Sequence, residues 1–402
     1  MHKISRRSFL KAGAVSAAAV ALSACGQSVT AASSAAASSV ASDAAGSAAA
    51  DAMKVGYIYI GDDSQAYTAN FIAAQTAIEQ QFGSAVQSIA KYNVAEDAIE
   101  SPLRELCEAG CGVIFTTSFG YGETTKEIAQ EYPDIQFCQA TCADAAAEPV
   151  VANYHNYMGE IYQARYVAGI VAGMKLAELG VKAPKIGYVG AFPYAEVISG
   201  YTAFFLGVRS IVADATMEVM YANSWGDYDT EKTMATSMIE DGCVLISQHS
   251  DTEGPAEACE AAAANGTQVF CVAYNQDMTD IAPNTCLISS RIDWAPYETS
   301  AVQAVMDGTE IKVDDWAGFD KGWVAMTELN TAIAAEGTQD AIDKVIEGFK
   351  AGSIDVFKGD YTGADYEGNT VDLNEGFTEN ATQSAPAFAY VLDDVITVKS
   401  TN

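Results

Sequence analysis

The sequence predicts an α/β protein of two domains, with parallel sheets covered by helices. Three observations lead there. Short apolar runs alternate with longer runs of helical spacing, and that alternation builds parallel sheets with helices on both faces. The body, from about Lys54 to Lys399, is longer than one core usually holds. Half of the chain is hydrophobic (50%), enough apolar surface for two cores.

In order, strand-like runs fall at Val55–Ile60, Val113–Thr117, Ile135–Ala140, Lys185–Gly190, Met217–Ala222, Val244–Gln248, Val269–Tyr274 and Leu287–Ile292. Helix-like runs between them include Ala69–Phe82, Tyr157–Leu179, Glu196–Val212, Thr230–Asp241 and Pro255–Asn265. The stretch Pro133–Asn156 breaks the rhythm, with two strand-like runs and no clear helix between. A crossing from one sheet to another is a natural place for such a break.

The most informative stretch is Gly112–Glu123. Val113, Ile114 and Phe115 read as a strand buried on both faces, and hydroxyls, glycines and two aromatics follow before a helix-like run to Tyr132. In open parallel sheets, ligands bind beyond the carboxyl ends of strands. Thr117 and Ser118 offer hydrogen bonds there, and Phe119 and Tyr121 offer faces for a ring to stack on. The same residues also fit a capped helix with two core aromatics, and the sequence leaves both readings open.

Ser5-Arg6-Arg7-Ser8-Phe9-Leu10-Lys11 carries the twin-arginine export pattern, followed by an Ala/Val-rich run to Leu22. That run ends in Leu22-Ser23-Ala24-Cys25-Gly26, which resembles the lipobox of bacterial lipoproteins. The resemblance implies cleavage before Cys25, a lipid on its sulfur, and residence on the extracytoplasmic face of the bacterial cell membrane. Residues 26–53 are almost all Ala, Ser, Gly and Asp, too poor in apolar surface to offset the entropy of ordering, and read as a disordered tether.

Acidic residues outnumber basic ones 53 to 21, and Lys3, Arg6, Arg7 and Lys11 lie in the signal. A phosphate backbone needs a basic surface, so nucleic acid is excluded as a partner. The sequence has no glycine-rich dinucleotide or triphosphate cradle, no Gly-x-Ser-x-Gly elbow and no His-Glu-x-x-His. No cofactor and no metal are therefore expected. Cys107/Cys111 and Cys138/Cys142 have spacings a metal could use, but most cysteines sit in apolar runs. Buried free thiols are favoured over disulfides, and disulfides over a metal cluster.

Nine stretches in series are similar to the basic membrane protein family of ABC-importer substrate-binding lipoproteins, whose members include purine nucleoside receptors. They are Val113–Tyr121, Tyr162–Gly173, Ile186–Pro193, Glu196–Gly200, Phe204–Ser210, Asn223–Asp227, Gln248–Thr252, Ala273–Met278 and Trp294–Tyr297. The resemblance implies two Rossmann-like lobes joined by three hinge strands, the type I periplasmic-binding-protein fold, with ligand clamped between the lobes. Lobe one would hold residues 54–156 and 276–313, and lobe two residues 157–275 and 314–399.

Carried over residue by residue, the resemblance implies a ligand site of Tyr67, Ser118, Phe119, Gly120, Phe192, Trp225, His249, Asp251 and Asn275. Pro193 and Ser250 fall beside them, and Asp62 and Asp63 read as turn residues. Asn275 stands where the family usually has Asp, which weakens hydrogen bonds to sugar hydroxyls. Phe71, Ile72 and Gln75 stand where relatives carry polar groups. Either the cleft wall is more apolar and the ligand less polar, or these positions only support the loop.

The implied function is a non-enzymatic receptor that delivers a purine nucleoside or nucleobase-like solute to an ABC permease. Two alternatives share part of the pattern. One is a secreted nucleoside-cleaving enzyme built on the cluster around His249 and Asp251; Ser250, next in sequence, would point away from His249 on a strand. The other is a sensor that passes its ligand state to a membrane kinase.

Overall fold

The computed structural model describes residues 52–399. The export signal, Cys25 and nearly all of the expected tether lie outside the described residues; the first strand already begins at Met53.

The first half of the chain runs β1 (Met53–Ile58), α1 (Ala66–Phe82), β2 (Val86–Lys91), α2 (Glu100–Glu108), β3 (Cys111–Thr116), α3 (Gly122–Glu131), β4 (Gln136–Ala140) and β5 (Tyr154–Gly159). There follow α4 (Ile161–Leu179), β6 (Lys185–Gly190), α5 (Ala195–Arg209), β7 (Thr216–Tyr221), α6 (Tyr228–Glu240), β8 (Leu245–His249), α7 (Gly254–Ala264), β9 (Phe270–Tyr274) and β10 (Cys286–Ile292). The remainder is α8 (Ala295–Asp307), β11 (Asp314–Ala317), β12 (Val324–Met326), α9 (Thr338–Lys350), β13 (Thr362–Ala364), β14 (Thr370–Asp372), β15 (Val391–Leu392) and β16 (Ile396–Val398).

Two large sheets result, ordered β2-β1-β3-β4-β5-β11 and β16-β7-β6-β8-β9-β10-β12. The same doubly wound order appears in both, with the strand order reversing at β1/β3 and at β6/β8. Such switch points open a crevice outside the carboxyl ends of the strands. Each sheet with its helices forms one lobe, and the two crevices face each other.

The chain crosses between lobes three times: from β5 to α4, from β10 to α8, and from β11 to β12. The crossing segments bond to one another, Glu160 N–H to the Ala317 carbonyl at 2.9 Å and Asp293 N–H to the Trp323 carbonyl at 2.8 Å. This arrangement corrects the expected lobe boundaries. β10 joins the second sheet beside β9, and β11 joins the first beside β5. Strand pairing is long-range, so adjacency in sequence did not reveal it.

Two smaller differences have local causes. β2 (Val-Gln-Ser-Ile-Ala-Lys) is a half-exposed edge strand without an apolar run. β5 takes Tyr157–Gly159, which the sequence assigns to a helix, because its six residues are all buried and only Glu160 separates it from the equally apolar α4. α4 and α5 cross closely at Gly169 and Gly207. A Cβ at Gly169 would strike the Phe204 carbonyl, and one at Gly207 the Tyr166 carbonyl. All eight cysteines of the described residues are buried free thiols.

Candidate functional site

The strand-end loops of the two lobes enclose a small pocket. Ile60, Tyr67, Ser118, Phe119 and Thr141 line it from lobe one, and Glu196, Trp225, His249, Asp251 and Tyr274 from lobe two. No lysine or arginine lines it among the described residues. The lobes are closed on each other: Ala66 N–H at the start of α1 donates to the Asp251 carbonyl (3.4 Å), and Asn70 Nδ2 donates to Asn275 Oδ1 (3.0 Å).

On the lobe-one wall the polar groups are already engaged. Tyr67 Oη donates to the Thr117 carbonyl at 2.6 Å, and its ring packs edge-on against Phe71 and Trp294. Ser118 Oγ donates to Glu96 Oε1 at 2.6 Å, and Gly120 N–H donates to the same oxygen at 3.0 Å. A Cβ at Gly120 would push that carboxylate aside. Gly120 thus supports the loop and does not line the pocket. Phe119 is 51% exposed and meets Tyr194 of lobe two at 5.6 Å.

Phe192 stacks on Tyr194 at 5.1 Å and packs edge-on against Trp225 at 5.3 Å. It belongs to the aromatic mouth of the cleft, beside a surface groove, with the exposed Pro193 next to it. Trp225 belongs to both mouth and pocket.

Lobe two supplies the charge. His249 ends β8, and its Nε2 lies 3.3 Å from Glu196 Oε1, in the first turn of α5. Beneath it, the Arg165 guanidinium lies 3.7 Å from the centre of the Tyr274 ring, and Arg165 Nη1 donates to the Gln248 carbonyl at 2.6 Å. Burial first, and the Arg165 charge second, lower the His249 pKa to about 4. The imidazole is therefore neutral near pH 7. A carboxylate can only accept, so the proton sits on Nε2 and leaves Nδ1 as an acceptor. Gly200 faces that nitrogen: a Cβ there would stand 2.8 Å from His249 Nδ1.

Asp251 is buried at 6% exposure, and none of the described residues donates a hydrogen bond to its carboxyl group. Burial raises its pKa well above the usual carboxylate range, and the Glu231 and Glu196 charges add to this. Its loop is held by Glu231, whose Oε2 accepts from Ser250 Oγ (2.8 Å), Thr252 Oγ1 (2.6 Å) and Thr252 N–H (3.2 Å). Ser250 Oγ therefore bonds to Glu231 and not to His249.

Asn275 is buried in the left-handed region (φ 65°), with its Oδ1 taken by Asn70, and does not line the pocket. The first-loop residues also face inward. Phe71 stacks on Trp294 at 4.3 Å, Gln75 accepts from Tyr59 Oη at 2.9 Å, and Ile72 packs on the core. They support the lobe and do not line the pocket. Conversely, Glu196, Tyr274, Thr141 and Ile60 line the pocket without having been named from sequence. Each lies at a strand end or in the segment after one, the one signal that could have found them.

Two hinged lobes with a pocket between their strand ends define a solute-binding protein of the type I periplasmic fold. Residues 47–354 match the Bmp family model, described as ABC transporter substrate-binding protein PnrA-like, and the chain belongs to that family. Residues 3–23 match the twin-arginine translocation signal, so the protein is exported from the cytoplasm. The chain is 32% identical over 311 residues to a purine-binding protein of Brucella abortus, covering 77% of this chain and 84% of the relative. A Haloferax volcanii protein whose name assigns it to glucose binding in an ABC transporter is 29% identical over 286 residues (71% and 69%). In fold, it is similar to an ABC transporter solute-binding protein from Aeropyrum pernix K1, with TM-score 0.65, 15% identity, and coverage of 75% and 92%.

Proposed function

We propose that this ABC-transporter substrate-binding protein takes a neutral purine nucleoside or nucleobase and hands it to a membrane permease, held at the membrane by a lipid on Cys25. The observation that carries this reading is the pairing of pocket rings with carboxyl oxygens still free to accept. Phe119, Trp225 and Tyr274 offer faces to a flat ring, while Asp251 and Glu196 offer acceptors to N–H or O–H donors. With no lysine or arginine lining the pocket among the described residues, a phosphorylated ligand would find no cationic side chain there to balance its charge. The Brucella relative's name supports a purine.

Mass spectrometry of ligand released on denaturation, followed by calorimetric titration with adenosine, deoxyadenosine, adenine and glucose, tests the reading. Binding of a purine compound with glucose silent supports it. The reverse assigns the pocket to a sugar, the ligand class in the Haloferax relative's name. Tighter binding of adenine than of adenosine would place recognition in the base; the opposite ranking would place it in the ribose. The anchor is tested separately, since Cys25→Ala should move the protein out of the membrane fraction.

A further inference from the structure

Residues 355–399 lie beyond the end of the family match at residue 354. They are anchored on lobe two. Phe388 is fully buried, stacks on Phe357 at 4.5 Å, and packs edge-on against Phe377 at 5.2 Å and Tyr390 at 5.4 Å. Phe357 in turn meets Tyr162 of α4 at 5.7 Å. β16 adds a parallel edge strand to β7, and Lys399 after it pairs with Glu218 (2.8 Å) and Asp241 (2.6 Å).

Between these anchors, residues 379–388 fold into a turn that reaches the other lobe. Its base is buried Glu379, which accepts from Ser199 Oγ of α5 (2.8 Å) and from the N–H groups of Phe388 (3.2 Å) and Ala387. Asn380, left-handed at φ 52°, donates Nδ2 to the carbonyls of Ser384 (2.6 Å) and Gln383 (3.1 Å). The tip is Ser384, 1% exposed. Its N–H donates to Asp314 Oδ2 on β11 (3.0 Å), and its hydroxyl donates to the Cys142 carbonyl after β4 (3.2 Å). Both partners belong to the first sheet's lobe.

Both footholds adjoin the ligand pocket. Ser199 lies one helical turn from Glu196 on α5, and Cys142 follows Thr141. We propose that residues 379–388 are a strap that latches the closed lobes, so that opening of the cleft must release Ser384 from Asp314 and Cys142. Contacts made in one conformation only shift the equilibrium toward it. The latch sets the closed population before any ligand arrives, and it rests on the two-lobed fold, not on the ligand's identity.

Small-angle X-ray scattering of the ligand-free mature protein tests it. Losing both bonds in Ser384→Ala/Asp314→Ala should raise the open-to-closed ratio about fivefold to thirtyfold and enlarge the radius of gyration. Asp314→Asn, which keeps an acceptor oxygen, should scatter like the wild type. An unchanged radius in the double variant, with unchanged melting temperature, overturns the latch. Hydrogen exchange on the wild type provides a second measurement should the variant fail to fold. One opening event would break the Ser384–Asp314 and Ala66–Asp251 bonds together, so the two amides should show the same protection. Exchange of Ser384 as fast as an exposed loop amide overturns the proposal.

Discussion

Lobe one meets the cleft with rings and spent hydroxyls; lobe two adds carboxyl groups and a neutral imidazole to rings of its own. Tyr67 and Ser118 both give their protons to lobe one itself, so that wall presents mainly flat apolar faces. On the other wall, Glu231 and Asp251 sit near each other with opposite situations. Glu231 accepts from two hydroxyls and two backbone N–H groups, and Asp251 from none of the described residues. Glu231 positions the loop, whereas Asp251 keeps its acceptors for whatever enters. The contrast with Glu298 makes the same point. It is fully buried in lobe one with a strongly raised pKa, yet it accepts from Tyr157 Oη (3.0 Å) and does not line the pocket. A perturbed carboxyl group marks a site only where it opens onto a cavity.

Four measurements would break or sharpen that contrast. The largest effect is expected at His249. Its pKa is about 4 in the folded protein against 6.5 for the free side chain, so the unfolded chain binds the proton first as pH falls. Stability should therefore drop between pH 6.5 and about 4 and level off below, by about 3 kcal/mol from this group. Urea unfolding of wild type and His249→Gln across that range reads the difference; parallel curves would mean the imidazole is not held neutral.

Next, Asp251→Ala should weaken adenosine binding by about 1.5–3 kcal/mol, the worth of a hydrogen bond to a charged group. A ligand donor favours the ionised carboxylate, while burial raises the free protein's pKa. Affinity should thus rise with pH until that pKa is passed and be flat above it, and Asp251→Asn should abolish the slope. An identical slope in the variant would assign the proton to another group.

Trp225→Ala should cost about 1–3 kcal/mol of binding if the ring stacks on the ligand, by analogy with bases stacked on aromatic side chains. Phe119→Ala tests the opposite wall in the same titration. If neither loss is seen while the fold is intact, the rings serve only to close the mouth. The smallest effect is expected for Tyr67→Phe. It removes the bond to Thr117 and should lower stability by about 1 kcal/mol while leaving the ring face and adenosine affinity nearly unchanged. A large loss of affinity instead would make the lobe-one hydroxyl part of recognition.

The sequence by itself determined the alternation of strands and helices, the export signal and the loops that follow strand ends. Periodicity and turn chemistry are local, and they place Ser118 and Phe119 just after a strand end; the family resemblance added Tyr67, Trp225, His249 and Asp251, and all six line one pocket. Only the tertiary structure decided which way neighbouring side chains turn. Phe71 goes to Trp294, Asn275 to Asn70, Ser118 to Glu96, and Glu196 arrives at His249 from the start of α5. It also decided that β10 belongs to the second sheet and β11 to the first, and that Ser384 reaches Asp314 across 70 residues of chain. These outcomes rest on pairings between distant segments, whose free energy is realised only when both partners are in place.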